Sequence, residues 1–170
     1  MINLINILKE SITPYIKITR IDHNIKNIFI IPGILFAIII LEKKLTDLNF
    51  YIILFGILVA CVGTSSNYVI NEYLDKDKDA KHPYKNKRSL ITNNINPKIV
   101  IFEYIFLIFL SVYLSIYIGF LYSASIIILI ISGIIYNIKP FRSKDIVFLD
   151  TLTESLNSPI RFFIGWFLVD

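Results

Sequence analysis

The sequence predicts an all-α fold, a polytopic transmembrane helical bundle forming a single membrane domain over residues 1–170. Three observations lead there. Hydrophobic residues make up 55% of the chain and its mean hydropathy is +0.67, which is more apolar than an ordinary soluble domain. The apolar residues are gathered into runs near the roughly 20-residue length that crosses a bilayer. The charges lie between those runs, and the basic ones fall mostly on one side of them.

Residues 1–25 read as a cytoplasmic or interfacial segment. Leu4, Ile7, Leu8 and Ile12 recur at helical spacing, interrupted by charge, as in an amphipathic helix lying in the interface. No secretory signal peptide is evident. The first span runs from Ile28 to Leu41, with Pro32 and Gly33 near its start, and is short unless it begins within residues 24–27. The second runs from Phe50 to about Leu74 and contains Gly56, Gly63 and the small polar run Thr64, Ser65, Ser66. Residues 99–138 are too long an apolar stretch for one span. Gly119 near their middle permits a turn, giving spans over 99–118 and 120–138. Glu103 in the third span lies near its cytoplasmic end, where snorkelling accounts for it. The fifth span, Phe148 to Val169, is the least apolar, with Glu154, Asn157 and Arg161 inside it. The lone Cys61 excludes an internal disulfide and reads as a small core or lipid-facing residue.

The basic residues orient these five spans. Lys9, Lys17, Arg20 and Lys26, then the lysines and Arg88 between Lys76 and Lys98, then Lys139, Arg142 and Lys144 all fall on one side. The opposite side has only Lys43 and Lys44. An integral, multi-pass membrane protein with its N-terminus and its 73–98 loop in the cytoplasm follows from the positive-inside rule. The net charge of +4 suits an anionic membrane surface or anionic substrates. No nucleic-acid motif accompanies it, so nucleic acid is not an expected partner.

The densest charge in the chain is "NEYLDKDKDAKHPYKNKR", Asn71 to Arg88, directly after the second span. If that helix continues, Asn71, Asp75 and Asp79 fall at i, i+4 and i+8 on one face, with Glu72 three residues before Asp75. Like charges one turn apart repel, and a divalent cation would neutralise them. Mg²⁺ prefers oxygen ligands and commonly shares them with substrate phosphates. Lys81, Lys85 and Arg88 follow, in a segment that Pro83 keeps from being plain helix, and such cations are the usual partners of phosphate oxygens. A solvated juxtamembrane loop accounts for the same charges if only their number matters. An EF-hand loop does not fit, because its turn glycine would fall at Ala80 and its bidentate glutamate at Asn86. A lone His82 is equally a structural residue.

Asn71, Glu72, Asp75 and Asp79 resemble the N-D-x-x-D-x-x-x-D first motif of the UbiA superfamily of intramembrane prenyltransferases, with Glu72 in place of an Asp. His82, Pro83, Lys85 and Arg88 are similar to H-P-x-K-x-x-R, found in the branch containing decaprenyl-phosphate phosphoribosyltransferase, although Ser89 stands where that branch usually has Pro. Arg20, Lys26 and Asn27 match its R-P-x-x-W-x-K-N lead-in, with Ile21 and Asn24 replacing Pro and Trp. Tyr136 and Lys139, one residue closer together than in that spacing, resemble a Y-x-x-x-K element after the fourth span, and Asp150 and Arg161 fall where the branch has an Asp and an Arg in its fifth.

The resemblance covers about residues 18–170 and implies about nine spans, of which this chain holds five, with a second acidic motif beyond them. The chain is therefore expected to be the N-terminal part of such an enzyme, a truncation, or one half completed by a second chain. The implied function is Mg²⁺-dependent transfer of phosphoribose from phosphoribosyl diphosphate to a polyprenyl phosphate at the cytoplasmic face. Asn71, Glu72, Asp75 and Asp79 would hold the metal. Asp75, Asp79, Lys85 and Arg88 would be catalytic. Arg20, Lys26, Asn27, His82, Lys139 and Arg161 would bind substrate. Two other functions stay open: prenyl transfer from an isoprenyl diphosphate to an aromatic or other small acceptor, and a non-catalytic membrane subunit or inactive fragment. Within the fifth span, Glu154, Asn157 and Arg161 stand on one face, looking toward one another or a shared cavity, with Glu154 and Arg161 either a structural pair or part of a cavity wall, and Pro159 would kink the helix and open such a cavity.

Overall fold

Apolar runs in lipid must satisfy their own backbone groups, and helices are how a single segment does so. A computed structural model describes residues 12–93 and 95–170, which are helical with no strand among them. The main elements are α1 (Ile30–Ile40), α2 (Phe50–Ala80), α3 (Pro97–Ile116), α4 (Phe120–Asn137) and α5 (Leu149–Trp166). Leu4, Ile7 and Leu8 of the expected interfacial helix lie outside the described residues. Four helical stretches are long and apolar enough to cross a membrane: Ile12–Ile40, Phe50–Ala80, Pro97–Ile116 and Phe120–Asn137. The first reaches that length because a 3₁₀ helix, Ile21–Phe29, leads directly into α1. The expected fifth span is present as a helix, α5, but Asp150, Glu154 and Arg161 keep it outside the apolar set.

Local chemistry sets the helix ends. The Asn49 side chain accepts from the amides of Tyr51 and Ile52, and that of Asn96 accepts from Lys98 with Pro97 in the first turn. α3 and α4 part around Gly119, as the length of the apolar stretch requires. α2 has 31 residues, so it is about 46 Å long against a hydrocarbon layer of about 30 Å. Its last turns therefore project beyond the apolar layer. The segment predicted as a loop over 73–98 starts as helix and leaves it only after Ala80, just before Pro83.

α2 packs on α3 and α4, and α5 on α1 and α4. The α1–α5 contact is backbone to backbone. A Cβ on Gly33 would sit 1.9 Å from the Phe162 carbonyl oxygen, and one on Gly165 would sit 2.0 Å from that of Ile30. Glycine is what allows this approach. Ile30, Val59, Ala60, Tyr122, Ile126, Leu129 and Ile164 form the central core. Tyr122 keeps its hydroxyl satisfied there by donating to the Gly56 carbonyl at 2.6 Å. Ser66, Ser111, Ser115 and Ser125 are buried and donate to carbonyls of their own helices. Leu35, Phe36, Phe102, Phe106 and Phe109 face outward, as suits contact with lipid chains. A second cluster of Ile18, Val69, Leu90, Ile95 and Val100 fastens the connection after α2 to the end of the bundle.

Candidate active site

The middle of α2, the C-terminal part of α4, the middle of α5 and the lead-in to α1 come together around a cavity of about 510 Å³. Its wall carries four permanent cations, Arg20, Lys26, Arg88 and Arg161, and one carboxylate, Glu154. Asn67, Tyr68, Asn71, Asn137 and Asn157 supply neutral polar groups. An excess of positive charge over a half-enclosed polar space suits a multiply charged anion.

Arg161 is the most buried of these cations, 7% exposed. Its Nε donates to Asn27 Oδ1 at 2.9 Å and its Nη1 to the Asn157 carbonyl at 3.1 Å. Asn27 Oδ1 also accepts from the Thr64 hydroxyl at 3.1 Å. Both partners of the guanidinium are neutral. Glu154, which shares its helix face, pairs instead with Lys26 at 3.0 Å, with both side chains about half exposed. The structural Glu154–Arg161 pair is therefore not formed, and among the described residues no carboxylate pairs with this buried guanidinium at the cavity wall. Asn27 lies behind the wall and orients Arg161.

The acidic motif divides three ways, for a geometric reason. Successive steps of four residues rotate a helix position by about 40°, so a position eight residues on is about 80° from the first. Asn71 and Asp75 stay together. Asp79 turns toward the loop, where it is buried against Arg88, with Lys85 at 3.9 Å. Arg88 is thereby held at the cavity wall. Glu72, one residue and about 100° from Asn71, is buried on another face and accepts from the Leu90 amide at 3.4 Å. It anchors the short helix Ser89–Thr92 rather than joining the other oxygens.

Asn71 and Asp75 meet residues that were counted in the sequence only as orienting charges. The Lys144 ammonium donates to Asn71 Oδ1 at 2.8 Å, Asp75 Oδ2 at 2.9 Å and Asn137 Oδ1 at 2.9 Å. Arg142 Nη2 donates to Asp75 Oδ1 at 2.8 Å, and its Nε to Asp145 Oδ2 at 2.8 Å. Burial lowers the Lys144 pKa, and the bond to Asp75 opposes that shift. A bond from Lys78, then one from Arg142, holds the Asp145 carboxyl below its ordinary value. Arg20 and Arg142 both have left-handed backbones, at φ 50° and 30°, a conformation that costs a non-glycine residue roughly 1–2 kcal/mol. Both side chains are engaged at this end of the bundle: Arg20 lines the cavity beside His23 and Tyr68, and Arg142 holds Asp75.

Several expected site residues lie elsewhere. Lys139 and His82 are exposed and outside the cavity, and His82 Nδ1 accepts from the Tyr84 amide at 3.2 Å. Lys85 is 48% exposed and outside the wall. Asp150 accepts from the Tyr136 hydroxyl at 2.8 Å. Asn137, Arg142, Lys144 and Tyr68 were missed. For Arg142 and Lys144 the signal was present, as a basic cluster directly after the fourth span.

The arrangement bears on the Mg²⁺ expected from the acidic motif. Among the described residues no three His, Cys, Asp or Glu side chains gather as a metal site. Asn71, Asp75 and Asn137 do present three converging oxygens, and oxygen donors suit Mg²⁺. That set fits the ion where the full acidic motif does not, since Glu72 is turned away and Asp79 is engaged with Arg88.

No curated protein and no solved structure matches the chain. The profile of the UbiA prenyltransferase family matches residues 30–170, which takes in every helix from α1 to α5 and the cavity wall apart from Arg20, His23, Lys26 and Phe29. An all-α membrane bundle with a predominantly cationic cavity at one end is thus joined to a family match over most of its length, and the chain belongs to the UbiA prenyltransferase family.

Proposed function

We propose that this membrane-embedded transferase binds a diphosphate donor in the cavity, at the cytoplasmic face, and transfers phosphoribose from phosphoribosyl diphosphate to a polyprenyl phosphate. The observation that carries the reading is Arg161, a buried guanidinium whose hydrogen-bond partners among the described residues are neutral, in a wall that also holds Arg20, Lys26 and Arg88. Arg and Lys are suited to phosphate oxygens, Arg as a planar fork. Basic residues gathered at this end support the cytoplasmic assignment.

Arg161 and Arg88 would grip the diphosphate from opposite elements, α5 and the loop after α2. Arg20 and Lys26 would take the remaining phosphate charge nearer the rim. An oxygen of the acceptor phosphate, already anionic, attacks the anomeric carbon of the ribose. The bond from that carbon to the diphosphate oxygen breaks, and the electron pair leaves with the diphosphate, whose charge the arginines hold. No side chain has to remove a proton. Asn71, Asp75 and Asn137 would hold Mg²⁺, which when bound neutralises diphosphate charge.

The family assignment equally favours a second reading, in which an isoprenyl diphosphate donates its chain to an aromatic or other small acceptor. One experiment separates the two. Membranes containing the protein, alone and co-expressed with any chain that completes it, are supplied with Mg²⁺, polyprenyl phosphate and radiolabelled phosphoribosyl diphosphate. Mg²⁺-dependent label in the lipid phase, lost in Asp75→Asn, is the expected result. Transfer only from an isoprenyl diphosphate to an aromatic acceptor would replace the first reading with the second.

A further inference from the structure

The Lys144 ammonium sits where three oxygens from two helices converge. Asn71 and Asp75 come from α2 and Asn137 from the end of α4, at 2.8, 2.9 and 2.9 Å. An ammonium has three N–H donors, and all three are used. Two of the three acceptors are neutral amides, which a simple ion pair does not need. The side chain is 8% exposed, although the residue stands on a short 3₁₀ turn, Ser143–Asp145, outside the long helices. Withdrawing it therefore requires no helix to move. Asn71 and Asn137 also line the cavity, so the point faces the space where an anion is held.

We propose that Lys144 is a tethered internal cation. It fills the oxygen cradle of Asn71, Asp75 and Asn137, and a divalent cation enters only by displacing it. This rests on the reading of those oxygens as the divalent-cation site. The cradle suits the exchange: Mg²⁺ binds oxygens at about 2.0–2.1 Å, so the three acceptors have to close in by on the order of 0.8 Å. Arg142 holds Asp75 Oδ1, an oxygen that Lys144 Nζ also approaches to 2.8 Å; braced by Asp145, it keeps the carboxylate in place while Lys144 leaves. The device holds Asp75 neutralised until the metal arrives. It also makes the protein's affinity for the metal a difference between two cations competing for one cradle.

The test uses the full 170-residue chain in detergent, with Mn²⁺ as the probe and no donor present, because Mn²⁺ shares the oxygen preference of Mg²⁺ and its binding is read directly by electron paramagnetic resonance. Lys144→Met is expected to bind Mn²⁺ at least about tenfold more tightly than the wild type, since a positive charge in contact with the site is gone. Lys76→Met removes the same charge from an exposed position beside Asp75 and is expected to shift affinity by less than about threefold. Lys144→Gln should act in the same direction as Lys144→Met if the latter folds poorly. A second measurement needs no variant: amine acylation of Lys144 in the wild type, followed by mass spectrometry, should rise on saturation with Mn²⁺ while that of Lys76 does not. Mn²⁺ affinity indifferent to Lys144, or a Lys144 amine no more reactive with metal bound, overturns the internal cation and leaves the metal site standing. No saturable Mn²⁺ binding in the wild type and all variants overturns the metal site as well.

Discussion

Replacing Arg161 by methionine separates a structural arginine from a binding one by the sign of its effects. The guanidinium makes two hydrogen bonds, to Asn27 Oδ1 and to the Asn157 carbonyl. Neither acceptor is orphaned by its loss. Asn27 Oδ1 can take the Thr64 hydroxyl proton, which also reaches the Ala60 carbonyl but is not needed there, because that carbonyl stands four residues before Thr64, and the Asn157 carbonyl stands four residues before Arg161, the helix's own hydrogen-bonding interval. The lost bonds contribute about 1 kcal/mol each in net terms. Against that, a buried charge without a countercharge is removed, and replacing buried ionic groups by apolar ones of similar volume is often neutral or stabilising. Unfolding stability is therefore expected to change by no more than about 1 kcal/mol in either direction. Binding should behave otherwise. A charge-assisted hydrogen bond to phosphate is worth roughly 1.5–3 kcal/mol, so pyrophosphate affinity should fall about 10- to 150-fold. Calorimetric titration of pyrophosphate and thermal unfolding, both in the same detergent, read the two quantities. A variant destabilised by more than about 3 kcal/mol with unchanged pyrophosphate affinity would refute the reasoning and make Arg161 a structural residue.

Other outcomes follow from the same geometry. Gly165→Val drives a side chain into the Ile30 carbonyl, 2.0 Å from where a Cβ would lie, and should cost at least about 1–3 kcal/mol, read as a lowered melting temperature. Asp79→Asn should release Arg88 and raise the KM for the diphosphate donor while Mn²⁺ affinity stays within about threefold, because Asp79 stands apart from the cradle; a loss of Mn²⁺ binding would put Asp79 back among the metal ligands. Glu72→Ala should free the helix Ser89–Thr92 and expose residues 81–93 to limited proteolysis, with Glu72→Gln close to wild type. Asp145 is held below its ordinary pKa, so its bonds to Lys78 and Arg142 stabilise the fold above the usual carboxylate range and are lost as pH falls through the depressed value. Amide exchange in residues 138–148 should quicken on that acid side in the wild type, and Lys78→Met should move the change to higher pH.

The helices were legible because bilayer crossing is a one-dimensional constraint. Length, apolarity and the glycine in the middle of residues 99–138 were enough to anticipate α3, α4 and their boundary, and the charge within α5 was visible as an exception to that pattern. Arg20, Lys26, Asn71, Arg88 and Arg161 were legible as a group through motif resemblance, and all five line the cavity. Lys139 and His82 were expected there by the same reasoning and stand outside it, because a motif records spacing and not direction after a helix ends.

What the sequence determined by itself is therefore the membrane bundle, the end of it that carries charge, and the kinds of side chain that gather there. Tertiary structure decided which of them meet one another. The advance of about 100° per residue sends Asn71 and Asp75, Asp79, and Glu72 to three different neighbours. Lys144 reaches Asp75 across 69 positions of sequence, and Glu154 turns to Lys26 and not to Arg161. Such pairings depend on how helices distant in sequence are placed side by side, and periodicity within one helix carries no record of that.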